Sequence, residues 1–301
     1  MKEGITPELV ECLIGEQFPE WSHLPVAPVE LDGNDNTTFR LGEGLSARLP
    51  SADAYVAQVE KEHEWLPRLA PLLPLAIPEP LARGGPGCGF ERPWSVYRWL
   101  DGTIATVDRI GDLPRFAADL AGFLSALYTI DPFGGPAAGA HSFFRGGPLE
   151  TLDTDVRSAT AALAGQIDTH AITAAWDAAL DSAWPGPDVW VHGDVTSTNL
   201  LVVDGRLAAV IDFGCCAVGD PACDVAITWT LFHGASRRIF RERLGLDDGT
   251  WSRGRGWALW KALNTLTKPP ADAESRRVRF GWRIGARGVI DEILAEFIAS
   301  Q

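Results

Sequence analysis

Residues 189–214 constrain the fold more than any other stretch of the chain. They read VWVHGDVTSTNLLVVDGRLAAVIDFG. An apolar strand enters a polar loop at His192-Gly193-Asp194, and Asn199 follows five residues after the aspartate. Two apolar runs then flank Asp204-Gly205, the residue pair of a type I′ hairpin turn. Such a hairpin carries the chain away from Asn199 and returns it at Asp212. Asp212 lies 18 residues beyond Asp194, yet the hairpin predicts that Asp194, Asn199 and Asp212 meet at one end of a strand pair.

Oxygen ligands gathered in this way suit Mg²⁺ when phosphates and water complete its shell. Asn199 and Asp212 are the expected metal ligands. Asp194 is placed to orient an attacking hydroxyl and accept its proton. Phosphoryl transfer asks little more of a protein than positioning and charge neutralisation. A lone His-Gly-Asp or Asp-Phe-Gly would mean little; the ordered set at this spacing carries the signal.

Upstream, residues 24–101 read as strands around one helix. Strands are expected at Val26–Leu31, Thr37–Leu41, Leu45–Leu49, Leu75–Glu79 and Ser95–Trp99, with turn residues at Asp32-Gly33-Asn34-Asp35-Asn36. In the third strand Leu45, Ala47 and Leu49 share one face and Ser46 and Arg48 the other. A helix is predicted over residues 52–70. Its apolar stripe runs through Tyr55, Val59, Leu66 and Leu69, and Glu62 falls within it. A carboxylate aimed at an apolar surface needs a cation to stay ionised at low cost, and Arg48 is the expected partner. From residue 108 onward the pattern is helical apart from the strand island. Near the end, Val289, Ile293 and Phe297 form one stripe, with Ile290, Leu294 and Ile298 beside it.

Composition narrows the function classes. The 301 residues include 26 Lys and Arg against 40 Asp and Glu, a net charge of −14. A protein that tracks nucleic-acid phosphates would show the opposite sign. No apolar run is long enough to span a bilayer, and the opening residues lack a secretory pattern. The five cysteines form no CxxC pair and are read as reduced thiols of a cytoplasmic protein.

Residues 190–224, together with DNTTFRLGEGLSARLP, VEKEHEWLPRL and PWSVYRWLDG, resemble the aminoglycoside phosphotransferase family, the antibiotic-kinase branch of the protein-kinase-like fold. The resemblance implies an α+β bilobal fold: a small antiparallel sheet with one helix, then a larger, mostly helical lobe. The corresponding division is 1–98 for the nucleotide lobe, 99–102 for a hinge and 103–301 for the helical lobe. It also implies that Asp194 is the catalytic-loop aspartate, with Asn199 and Asp212 on the metal. Asn36, Thr37 and Thr38 would sit in the loop over the phosphates. Arg48, held by Glu62, would contact phosphate, and Leu100 with the backbone near Arg98 would meet the adenine. His192 would support the catalytic turn and Asp224 would brace it. The family's usual strand lysine is Arg48 here, a bidentate donor that can fill the same charge role.

The activity so implied is transfer of the γ-phosphate of ATP or GTP, with Mg²⁺, to a hydroxyl of an antibiotic, foremost an aminoglycoside. The alternatives are a macrolide, a sugar or an amino alcohol as acceptor, or a nucleotide-binding module without catalysis. The expected partner is a small-molecule acceptor, with no nucleic acid and no membrane, and the protein a monomer or weak dimer. Candidate acceptor-wall residues are Trp229, Trp257 and Trp260, with Asp153, Asp155, Asp272, Glu274, Asp291 and Glu292 as acidic positions. Most of the twelve Trp are nonetheless expected to fill the core.

Overall fold

Short strands joined by tight turns build the first sheet. The computed structural model describes residues 4–29, 33, 35–267 and 281–299. The predicted turn residues Asp32 and Asn34, the end of the first predicted strand, and the acidic positions Asp272 and Glu274 lie outside them. The chain divides into two compact units, Met1–Asp101 with Ile211–Gly214, and Gly102–Val210 with Cys215–Gln301.

In the first unit, α1 (Pro7–Gln17) starts at Thr6, whose hydroxyl accepts from the Leu9 amide. The sheet follows, with β1 (Val26–Pro28), β2 (Asn36–Leu41), β3 (Leu45–Pro50), β4 (Pro80–Gly84) and β5 (Trp94–Arg98) in the order β1-β2-β3-β5-β4, antiparallel throughout. The alternation read from β3 is realised: Ala47 and Leu49 are buried with Phe39, Leu41, Trp94 and Val96, against Val10, Leu13 and Ile14 of α1. The predicted helix begins later than expected, as α2 (Val56–Leu69) after a 3₁₀ turn at Asp53–Tyr55. The strand predicted at Leu75–Glu79 is displaced to Pro80–Gly84. Pro78 has no N–H for a ladder, whereas a proline can occupy the first position of a strand, as Pro80 does.

The reading of all cysteines as reduced thiols is corrected here. Cys12 and Cys88 form a disulfide across 76 residues. Gln17 at the end of α1 exchanges two hydrogen bonds with Gly85, 3.1 and 2.8 Å long, and this docking brings Cys12 beside the turn that carries Cys88. Counting cysteines cannot reveal a contact made by tertiary docking.

The second unit is mainly helical. It contains α3 (Leu113–Thr129), α4 (Asp153–Ala162), α5 (Thr169–Leu180), α6 (Ile227–Thr230), α7 (Gly234–Leu244), α8 (Asp248–Thr267) and α9 (Ala286–Ala299). Phe116, Leu120, Phe123 and Leu124 of α3 are fully buried, and Phe116 packs edge-on against Phe232. In α9 the predicted stripe is buried, but Ile298 is 63% exposed. No helix among the described residues is long and apolar enough to cross a membrane.

Short strands frame the polar loop of this unit. β6 (Thr103–Ile104) pairs with β8 (Leu200–Val203), which pairs with β9 (Arg206–Val210). The turn between β8 and β9 has Asp204 at φ 49° and Gly205 at φ 76°, the two left-handed residues that a type I′ hairpin requires. Leu200 pairs with Val210, so Asn199 immediately precedes the open end of the hairpin, opposite its turn. β7 (Val189–Val191) pairs with β10 (Ala217–Gly219) in the register Val191–Ala217, which sets residues 217–219 alongside the approach to His192.

Candidate active site

The polar loop of the second unit is held from beneath by one carboxylate. Asp224 has no solvent exposure, and it accepts from the backbone amides of His192 at 2.9 Å and Gly193 at 2.7 Å. Burial raises its carboxyl above the ordinary aspartate value, against the opposing pull of His192 and the two amides. Gly193 sits at φ 83°, and a Cβ there would lie 2.4 Å from the Cys215 carbonyl oxygen. Glycine is therefore required where the turn passes the 3₁₀ turn that ends at Cys215.

The loop in turn positions Asp194. Its amide donates to Nδ1 of the buried His192 at 3.2 Å, which gives the histidine a structural role. Asn199 Nδ2 donates to the Asp194 carbonyl at 2.9 Å and to Asp194 Oδ2 at 3.3 Å. Lys261 Nζ, from α8, donates to Asp194 Oδ1 at 2.7 Å. Burial alone would raise the Asp194 carboxyl, but Lys261 and Arg145 outweigh it and hold it at about 2.

In the first unit, Arg48 of β3 joins two carboxylates. Its Nη1 lies 3.6 Å from Glu62 Oε2, and its Nη2 donates to Asp212 Oδ1 at 3.0 Å. Glu62 is buried on α2 and also accepts from the Tyr97 hydroxyl of β5. Burial works against the Arg48 charge, yet Glu62 and Asp212 raise its pKa above the ordinary arginine value. The stretch after Asp212 docks on α2: Lys61 Nζ donates to the Gly214 carbonyl at 2.8 Å. Asp212 itself adopts φ 66°, a left-handed conformation outside glycine that turns the chain sharply at this carboxylate.

Other predicted residues fall elsewhere. Asn36, Thr37 and Thr38 lie on β2, not in a loop, because they pair in register with Pro50, Leu49 and Arg48. Thr38 is directly opposite Arg48, so the two side chains share a face. Arg98 ends β5 with its guanidinium on Glu79 at 2.6 Å, and Leu100 is half-buried just beyond.

The acceptor-wall candidates differ in their surroundings. Trp229 and Trp257 are buried in the core, where Trp229 Nε1 donates to Glu296 at 3.0 Å. Trp260 is half-buried and meets Trp257 edge-on at 5.8 Å between ring centroids. Asp153 is taken up by Arg157 at 2.9 Å and by Trp176, and Glu292 by Arg237 and Arg283. Asp155 is exposed on the first turn of α4. Asp291 is exposed on α9.

Residues 27–261 match the phosphotransferase enzyme family. The chain belongs to that family. No curated protein sequence matches it. Among solved structures, it is similar to the GDP complex of aminoglycoside 2′-phosphotransferase-IIIa, at 18% identity and a TM-score of 0.68, with 97% of this chain and 99% of that one covered. It is also similar to the macrolide 2′-phosphotransferase MphH from Brachybacterium faecium, at 21% identity and a TM-score of 0.57, over 85% of this chain and 91% of that one. A macrolide 2′-phosphotransferase type I shares 19% identity and a TM-score of 0.62, over 96% and 95%. These likenesses carry the fold: a protein-kinase-like antiparallel sheet unit and a mostly helical unit.

Sequence reasoning missed two residues of this phosphotransferase that touch the described loops, Lys61 and Lys261. A signal was present. The chain has only four lysines against 22 arginines, and these two lie on helices. Lys61 is also spaced three residues from Gln58, which donates to Asp35 at 3.1 Å from the same helix face.

Proposed function

We propose that this phosphotransferase moves the γ-phosphoryl group of ATP or GTP, with Mg²⁺, onto a hydroxyl of a small molecule of the antibiotic class. The observation that carries the reading is the loop in which Asp224 braces His192 and Gly193 while Asn199 and Lys261 fix Asp194. Its side-chain oxygens are held in one orientation before any substrate arrives, as positioning catalysis requires.

Asn199 and Asp212 are suited to the cation. The Asn199 amide nitrogen is spent on Asp194, which leaves Oδ1 for an ion, and the Arg48 contact on Asp212 Oδ1 leaves Oδ2. Both are hard oxygen donors. Among the described residues no group of three or more His, Cys, Asp or Glu could hold a metal ion. Mg²⁺ commonly takes one or two protein ligands beside phosphates and water. Mg²⁺ held by such an oxygen donor would neutralise charge on the phosphate oxygens. Arg48, fixed between Glu62 and Asp212, supplies a permanent positive charge on the face it shares with Thr38.

In the transfer, Asp194 accepts a hydrogen bond from the acceptor hydroxyl. The hydroxyl oxygen forms a bond to the γ-phosphorus as the bond to the β–γ bridging oxygen breaks. The electron pair leaves with the nucleoside diphosphate, and the hydroxyl proton passes to Asp194 and then to solvent.

The solved relatives favour an aminoglycoside or a macrolide acceptor, since they include a kanamycin complex and macrolide 2′-phosphotransferases. One observation favours an acceptor less cationic than an aminoglycoside: Asp153 and Glu292 are already neutralised by arginines, while Lys261 and Arg145 stand close to Asp194.

A nucleotide-consumption screen tests the proposal. ATP and GTP would be offered with kanamycin, gentamicin, streptomycin and erythromycin, and Asp194→Ala would serve as control. The expected result is acceptor-dependent nucleoside diphosphate release that the variant lacks by about a thousandfold or more. Equal turnover by wild type and Asp194→Ala would refute the assignment of Asp194.

A further inference from the structure

Around Asp194 stand more positive groups than holding one carboxylate requires. Lys261 spends one N–H on Asp194 Oδ1, and its side chain is 13% exposed. An ammonium has three donors. Arg145 is the second cation. Its guanidinium lies over Trp260 at 4.5 Å and Trp257 at 5.2 Å, and its charge acts on Asp194. Two buried donors in this cluster, Arg145 Nε and Trp260 Nε1, have no acceptor among the described residues. Buried donors left unpaired are costly, and donors grouped with cations call for an anion.

The geometry points to Lys261 as a phosphoryl-holding residue, backed by Arg145. Resting on the phosphotransferase reading above, we infer that the Lys261 ammonium binds the equatorial oxygens of the phosphoryl group while it passes to the hydroxyl held by Asp194. The reacting phosphorus must come within bonding distance of that hydroxyl. A cation hydrogen-bonded to the same carboxylate is then within one further hydrogen bond of the phosphoryl oxygens. Charge spreads over those oxygens in a loose transition state, and a preorganised cation stabilises them there more than in the ground state. Lys261 gains and loses no proton in this step. Its service is electrostatic, and Arg145 adds a second charge on a rigid aromatic support.

Binding of MgADP and MgGDP, each with and without aluminium fluoride, tests this by calorimetry without knowledge of the acceptor. Planar or octahedral fluoride complexes stand in for the phosphoryl group in flight. In the wild type, fluoride should tighten diphosphate binding by about a hundredfold or more. Lys261→Met should lose about tenfold or more of that gain and keep its affinity for the plain diphosphate within about twofold. Lys261→Arg should retain most of the gain. Should Lys261→Met fail to fold, Arg145→Gln carries the same readout with a smaller loss.

Full fluoride tightening in Lys261→Met, or in Arg145→Gln where that variant is used, would overturn the inference. So would a wild type that binds diphosphate but gains nothing from fluoride. A wild type that binds neither diphosphate would overturn the phosphotransferase reading itself.

Discussion

Replacement of Asp224 by alanine should be costly both to stability and to turnover. The wild-type carboxylate accepts from two backbone amides at 2.9 and 2.7 Å in a place with no solvent exposure. Alanine leaves both N–H groups buried without an acceptor, at about 1–3 kcal/mol each. Part of this is returned, because the variant no longer buries a charge that the fold disfavours. The balance is a loss of about 3 kcal/mol, a large share of an ordinary domain's stability.

Guanidinium unfolding at pH 7, followed by tryptophan fluorescence, should show a lower midpoint with an unchanged slope. In a thermal scan the same loss corresponds to about 6–12 °C. Turnover should fall further than stability alone explains, because His192 and Gly193 set the direction of Asp194. A stability loss below about 1 kcal/mol, or wild-type turnover in the folded variant, would refute the claim that Asp224 holds the loop.

Gly193→Ala should destabilise by about 2 kcal/mol or more, since it combines a left-handed backbone with a Cβ 2.4 Å from a carbonyl oxygen; chemical denaturation measures it, and turnover should be lost with it. Arg48→Met strands Glu62, which is 5% exposed, and should cost about 3–5 kcal/mol in thermal unfolding. Arg48→Lys should fall in between, because one ammonium cannot span Glu62 and Asp212 as a guanidinium does. Glu292 is disfavoured by burial, yet Arg283 and Arg237 lower its carboxyl below the ordinary 4.5. Its contribution is therefore complete above 4.5 and is lost as pH falls through the lowered value. Glu292→Gln should be less stable than wild type by about 1 kcal/mol at pH 7, and urea midpoints should converge as the pH is taken below that range.

What the sequence made legible was local or periodic. Asp204-Gly205 declared its hairpin because only a few residue pairs tolerate two left-handed conformations in succession. Glu62 declared itself by interrupting an apolar stripe, and Arg48 by lying on the opposite face of the neighbouring strand from the leucines. What stayed hidden depends on docking between distant segments. Cys12 meets Cys88 where α1 docks on the sheet, a contact that Gln17 reinforces at Gly85. Lys261 reaches Asp194 across 67 residues, and no spacing rule joins a helix to a loop so far away. Thr37 and Thr38 read from their β-branched pattern as the start of a strand, and they are on β2; the loop position implied for them by the family resemblance is not where they lie. Of the expected acceptor-wall tryptophans, Trp229 and Trp257 obeyed the general preference of large aromatic groups for the interior, while Trp260 is half-buried.

The scarcity of lysine gives this enzyme an unusual chemical profile. Lys2 and Lys268 lie outside the described residues, and both remaining side-chain amines are committed, Lys61 to Gly214 and Lys261 to Asp194. Succinimidyl esters and other acylating reagents thus have few sites to modify, and one of them borders the proposed point of transfer. A mass-spectrometric footprint of acylation becomes a local gauge of that point, readable without a crystal and without knowing which alcohol the enzyme takes.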